Sequence, residues 1–210
     1  MELGCGDGEP LLDLRRRGLD VEGVDSSADM LDRCRRAVAD AGLDVVLHHQ
    51  RMEELNLPRR YSSIFLAGPT FILLPDDTTA LRSLRGIRAH LADDGAALVP
   101  LFVPAPTPEH RFGEMHEALA AEGALLRFSL RSEERDEGSR TRRAELRYER
   151  HAGTDRTVVD RTWTLHRHTQ NGFRRLVTAA GLRTEAVQDA AGRPAADDAT
   201  AFAFLLRAAG

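Results

Sequence analysis

The residues best suited to chemistry lie in the first quarter of the chain, at Glu2-Leu3-Gly4-Cys5-Gly6-Asp7-Gly8. Three closely spaced glycines after an apolar residue and before a helical pattern describe a strand-to-helix turn. Glycine there lets the backbone approach a bound molecule, and the helix N-terminus offers it free N–H groups. The spacing is not that of the GxGxxG dinucleotide fingerprint, because the third glycine is Gly8 and residue 9 is Glu9. Asp25 follows 21 positions after Gly4, at the end of the next apolar run. A carboxylate in that place can accept both hydroxyls of a ribose. Cys5 sits where a helix terminus could lower a thiol pKa, but packing is the reading we adopt for it.

The elements that must hold these residues follow from periodicity. The first half alternates short apolar runs with helical spacing, which predicts βα units and a parallel sheet. Strands are expected ending at Leu3, over Val21–Asp25, Val45–His48 and Ser63–Ala67, and over Ala97–Val103. Helices are expected after Pro10, after a Ser26 or Ser27 cap, and after Asp76, with Gly18 and Gly42 as stops for the first two. Met30, Leu31, Cys34, Val38 and Ala41 are expected on one face of the second helix. Pro104, Pro106 and Pro108 interrupt the pattern, and Glu109–Ala121 reads as a short helix. From Leu125 to His168 the period becomes two, as in Ala144, Leu146 and Tyr148, which predicts antiparallel strands with one wet face. A helix over Thr169–Ala180, stopped by Gly181, and two further strands complete the chain. The expected fold class is α/β, a doubly wound, mostly parallel Rossmann-like sheet carrying an inserted antiparallel ribbon. Its parts are a cofactor-binding core over 1–103, an insertion over 104–168 on the substrate side, and a segment over 169–210 that completes the sheet.

The segments ELGCGDG, VEGVDSSADML and RMEELNLPRRYSSIFLAGPTF, in this order and spacing, resemble the cofactor motifs of class I S-adenosylmethionine-dependent methyltransferases. The second half loosely resembles members acting on small molecules, such as amino-sugar and glycine N-methyltransferases. The resemblance implies S-adenosylmethionine as cofactor and a small-molecule methyl acceptor as partner. It implies that Glu2 orients the turn near the cofactor's amino group, that Gly4, Cys5 and Gly6 line its methionine portion, and that Asp25 holds the ribose. Ser26 and Met30 would lie beside ribose and adenine, Met52 would pack on the adenine, and Leu66 and Ala67 would end the fourth strand at the substrate entrance, with Thr70 in the following loop. Two positions depart from the pattern. Arg51 stands where the family usually has an aspartate that accepts from the adenine amine, and arginine cannot accept a hydrogen bond. Glu53 is the nearby carboxylate that could substitute, or backbone and packing alone could recognise the adenine. Ser62 replaces the usual aspartate of the fourth strand. With only Met1, Glu2 and Leu3 for the central first strand, a misassigned start codon is expected in preference to a truncated, weak or inactive protein.

The expected activity is methyl transfer from S-adenosylmethionine to a nitrogen or oxygen of a small molecule. The rival readings are a nicotinamide-dependent oxidoreductase and a non-catalytic cofactor-binding remnant. No catalytic residue is assigned; His116, His151 and His166 are candidate bases, and Tyr148 and Trp163 could line a substrate pocket or pack in a core. His166 with His168, and His48 with His49, lack a cysteine or carboxylate at metal-site spacing, so no metal is expected. Arg140, Arg142 and Arg143 read as a solvated edge rather than a phosphate clamp.

Composition narrows the classes further. Of the 210 residues 42 % are hydrophobic and 30 % charged, which excludes fibrous, disordered and disulfide-scaffold classes. The net charge of −4 offers no footprint for nucleic acid, and no apolar run approaches a membrane span. Cys5 and Cys34 are the only cysteines, which fits a cytoplasmic compartment. All 29 basic residues are arginine, so Schiff-base or P-loop lysine chemistry is absent.

Overall fold

In the computed structural model, which describes residues 1–120 and 122–210, the chain divides into two compact units. The first comprises Met1–Val103 with His168–Gly210, and the second Pro104–Arg167.

The first unit is built on a seven-stranded sheet of order β10-β11-β5-β4-β1-β2-β3. Its strands are β1 (Glu2–Leu3), β2 (Gly23–Asp25), β3 (Leu47–His49), β4 (Tyr61–Phe65), β5 (Leu91–Phe102), β10 (Leu182–Gln188) and β11 (Ala201–Ala208). The first five run parallel, and β11 lies antiparallel between β5 and β10. Its helices are α1 (Leu11–Arg16), α2 (Ala28–Asp40), α3 (Asp77–His90) and α4 (Gln170–Ala179). Three of their N-termini use side-chain caps of the expected type: Ser27 accepts from Met30 N, Asp76 from Thr79 N and Thr169 from Gly172 N.

Packing follows the apolar pattern with one exception that bears on the site. Leu31, Cys34 and Val38 of α2 are buried with Cys5, Leu11, Leu12 and Val21. Met30, expected on the same face, is instead 39 % exposed. At about 100° per residue Met30 lies about 40° beyond Cys34, at the edge of the stripe that Leu31, Cys34 and Val38 define.

At the other end of the sheet, Glu22 accepts from His48 Nε2, Tyr61 Oη and Arg59 Nε, each at 2.8 Å. Burial alone would raise its pKa, but these donors more than offset that and hold it below the usual carboxylate range. His48 thus serves a polar cluster, while His49 Nε2 lies 3.0 Å from the Ser26 carbonyl.

The second unit is a four-stranded antiparallel sheet of order β6-β7-β8-β9, with β6 (His116–Leu119), β7 (Leu125–Asp136), β8 (Thr141–Ala152) and β9 (Asp155–His166). The helix expected over Glu109–Ala121 does not form among the described residues. A 3₁₀ turn covers Glu109–Arg111, and residues 116–119 pair with Leu125–Phe128 as a strand. Position 121 lies outside the described residues. Pairing with a neighbouring strand outweighs the helix propensity of Glu117, Ala118 and Leu119, and the His116 ring lies against Phe128, which lies against Tyr148. Arg142 is no solvated side chain: it is 15 % exposed, pairs with Glu133 at 2.6 Å and reaches Thr107 Oγ1 at 3.0 Å. Arg143, 57 % exposed, fits the solvated edge. Among the described residues no helix is long and apolar enough to cross a membrane.

Candidate cofactor site

The glycine turn leaves β1 at the carboxyl end of the parallel strands, where a crevice forms in open α/β sheets. Gly4 has φ +71°, a left-handed conformation that a side chain would strain, and a Cβ there would come within 3.1 Å of Thr70 Oγ1. Asp25, at the end of β2, fastens this turn. Its Oδ2 accepts from Gly6 N at 2.8 Å and its Oδ1 from Ser27 N at 2.8 Å. One carboxylate therefore joins the turn after β1 to the cap of α2.

Beside Asp25 is a cavity of about 210 Å³. Gly4 and Thr70 line it, together with Val24, Asp25 and Ser26 from the β2 end. Gln50, Arg51, Met52 and Glu53 from the segment after β3, with Leu73 and Leu74, complete the lining. That segment is held by backbone and side chain alike: Gln50 N donates to Asp25 O at 3.1 Å, and the Gln50 amide exchanges two hydrogen bonds with the Asn56 backbone. Arg51 Nε donates to Glu53 Oε1 at 2.6 Å; the Glu53 side chain is 6 % exposed and that of Arg51 62 %. The guanidinium thus points to solvent while the carboxylate stays inside.

Of the residues named from sequence, Gly4, Asp25, Ser26, Arg51, Met52 and Glu53 come together around this cavity. Glu2, Cys5, Gly6, Met30 and Leu66 are not part of its lining. Gly6 takes part through its backbone N–H on Asp25. Cys5 and Leu66 are buried in the core. Burial also pushes the Cys5 thiol up to about 12, so it is a packing group and not a thiolate nucleophile. Glu2 is fully buried, both carboxylate oxygens have no hydrogen-bond partner among the described residues, and burial raises its pKa to about 7. The cavity lining contains no histidine; His116, His151 and His166 belong to the second unit, where His151 Nε2 lies 3.0 Å from Glu149.

Leu73 and Leu74 were not expected at the site. The signal was the run Phe71-Ile72-Leu73-Leu74, four apolar residues where a loop was expected. A 3₁₀ turn over Thr70–Leu73 sends Phe71 and Ile72 into the core and leaves Leu73 47 % exposed at the cavity.

The model of the methyltransferase domain family matches residues 1–95. Over 189 residues the chain is 31 % identical to dTDP-3-amino-3,6-dideoxy-alpha-D-glucopyranose N,N-dimethyltransferase of Streptomyces fradiae, a match covering 88 % of this chain and 70 % of that enzyme. This chain belongs to the S-adenosylmethionine-dependent methyltransferases. It is accordingly an enzyme whose cofactor is S-adenosylmethionine. The nicotinamide and non-catalytic readings find no support in this membership. The fold agrees with solved structures. A methyltransferase from Clostridium acetobutylicum superposes with a TM-score of 0.81 at 14 % identity, covering 100 % of this chain and 83 % of that one. A sugar N-methyltransferase from Streptoalloteichus gives 0.74 at 20 %, covering 98 % and 78 %.

Proposed function

We propose that this methyltransferase acts on an amine of a small molecule of the amino-sugar type, and that its cofactor lies in the Gly4–Asp25–Glu53 cavity. The observation that carries the acceptor class is the extent of the match to the Streptomyces fradiae enzyme. A match over 88 % of the chain cannot be confined to residues 1–103, so it reaches into the segments that follow the cofactor half. That relative is named for N,N-dimethylation of a nucleotide-linked amino sugar. Nitrogen is therefore favoured over the oxygen that the sequence alone left open.

The cavity's donor set fits the cofactor. The Gly4 cradle, which a Cβ would fill, would give the methionyl chain close access to backbone. Asp25, with Ser26 beside it, would take the ribose hydroxyls, and Met52 would cover the adenine. Glu53, whose side chain is buried at the cavity, would offer an acceptor for the adenine amine that Arg51 itself cannot provide. Met30 and Leu66, named from the resemblance, would contribute only at the periphery.

When bound, S-adenosylmethionine supplies a methyl group already activated by its sulfonium. The protein's task is then alignment and exclusion of water, and a base is required only for an acceptor that arrives protonated. The apolar rim at Leu73 and Leu74 would exclude water from one side of the cavity.

The test is to incubate the protein with S-adenosylmethionine and either a dTDP-linked 3-amino-dideoxy sugar or its 3-hydroxy counterpart, and to follow the products by mass spectrometry. One and then two methyl increments on the amino sugar alone are expected. Methylation of the hydroxy sugar with none on the amine would overturn the acceptor class.

A further inference from the structure

β9 is the one long sheet edge left unguarded among the described residues. An edge strand offers a row of unpaired N–H and C=O groups, and proteins blunt it by shortness, proline, lysine, a bulge or a cover. The other edges use these devices. β3 and β6 have only three and four residues. β10 carries a bulge between Thr184 and Ala186, and Pro194 bridges back to Gln188 at its end. β9 has twelve residues, pairs with β8 without a break, and contains neither proline nor lysine. Its outer side pairs with no strand among the described residues. Residues 155–164 are exposed apart from the partly buried Val159, and Val158 is 41 % exposed. Thr157, Val158, Val159, Thr162, Trp163 and Thr164 are of types that favour strands.

The charges along this edge indicate its partner. In a twofold dimer with a continuous antiparallel sheet the axis stands perpendicular to the sheet. One residue then faces its own copy, and residues equally far to either side of it face each other. With the axis at Val158, Arg156 lies opposite the second copy's Asp160 and Asp155 opposite its Arg161, and each pair occurs twice. Asp155 and Arg161 share one face of the strand, and Arg156 and Asp160 the other, as cross-strand partners must. An axis at Asp160 or Arg161 would oppose like charges, and one at Val159 or Thr162 would set Asp160 and Arg161 against neutral residues. Arg156 and Asp160 already pair with Glu149 and Arg147 of β8, whereas Asp155 and Arg161 have no ion pair among the described residues. We propose that β9 docks on the β9 of a second copy of this chain, antiparallel about Val158, joining two four-stranded sheets into one. The overlap runs only from Asp155 to Arg161, which makes the dimer one of micromolar affinity.

Sedimentation velocity of the full chain, from about 1 to about 100 µM, follows the association. The wild type is expected to pass from the 23.2 kDa monomer to a species of twice that mass. Arg161→Asp sets like charges opposite each other at two places and is expected to weaken dimerisation at least about tenfold. Adding Asp155→Arg is expected to restore it to within about threefold of wild type. Wild-type protein that stays monomeric throughout overturns the proposal. So does a dimer indifferent to Arg161→Asp, or one that the double variant fails to restore. Single cysteines read the register separately, since the chain's own Cys5 and Cys34 are buried. Under mild oxidation Val158→Cys is expected to cross-link to its own copy and Thr164→Cys to remain uncrosslinked. Cross-linking by Thr164→Cys, or none by Val158→Cys, overturns the axis at Val158.

Discussion

Asp25→Ala should lower the affinity for S-adenosylmethionine by about a hundredfold or more while leaving the protein folded. The carboxylate does two things that alanine cannot. It accepts from Gly6 N and Ser27 N at 2.8 Å each, tying the glycine turn to the cap of α2, and it lines the cavity, where the proposed reading makes it the acceptor for the ribose hydroxyls. A hydrogen bond to a charged group is worth about 1.5–3 kcal/mol, and a hundredfold loss corresponds to about 2.7 kcal/mol, so one or two lost bonds account for it. Calorimetric titration, with circular dichroism to check folding, measures the effect. Near-normal binding by a folded Asp25→Ala protein would remove Asp25 from the site.

The second large effect concerns the wall behind the turn. Gly23→Ala should cost about 2–3 kcal/mol of stability, a fall in Tm of roughly 5–10 °C for a chain of this size. A Cβ on Gly23 would stand 2.7 Å from Cys5 Sγ and 3.0 Å from Leu47 Cδ2. Neither neighbour can retreat easily, because Gly23 is paired with Glu2 on one side and Leu47 on the other in the parallel sheet. Cys5 is itself buried in the core with Leu11 and Cys34. The sulfur is the closest obstacle, so adding Cys5→Ala should recover at least about half of the lost stability. Thermal melts of the two single variants and the double variant form the cycle. Additive losses would show that sulfur contact is not the cause.

Both variants probe a turn whose position was legible in the sequence. The glycines before a helical pattern, the serine cap at Ser27, the aspartate cap at Asp76 and the stops at Gly42 and Gly181 are local signals, and local signals survive folding. The alternation through residues 141–152 announced the antiparallel sheet for the same reason. What escaped was set by partners distant in sequence. Residues 116–119 carry helix-forming side chains, but a strand at Leu125–Phe128 is available to pair with them. Arg142 looked like one more surface arginine until Glu133, on the neighbouring strand, was placed beside it. At the site, the resemblance pointed to positions rather than side-chain directions. Cys5 follows the lining residue Gly4 and Leu66 stands four residues before Thr70, yet both side chains are buried in the core. Leu73 and Leu74 were missed because only a 3₁₀ turn decides which of four successive apolar residues stays outside.

Amide hydrogen exchange with and without S-adenosylmethionine tests the central claim most directly, since it locates the cofactor without presuming any residue's role. The account predicts that protection on binding concentrates in residues 4–8, 24–27, 50–53 and 70–74. Protection confined to other segments, or none at saturating cofactor, would contradict it.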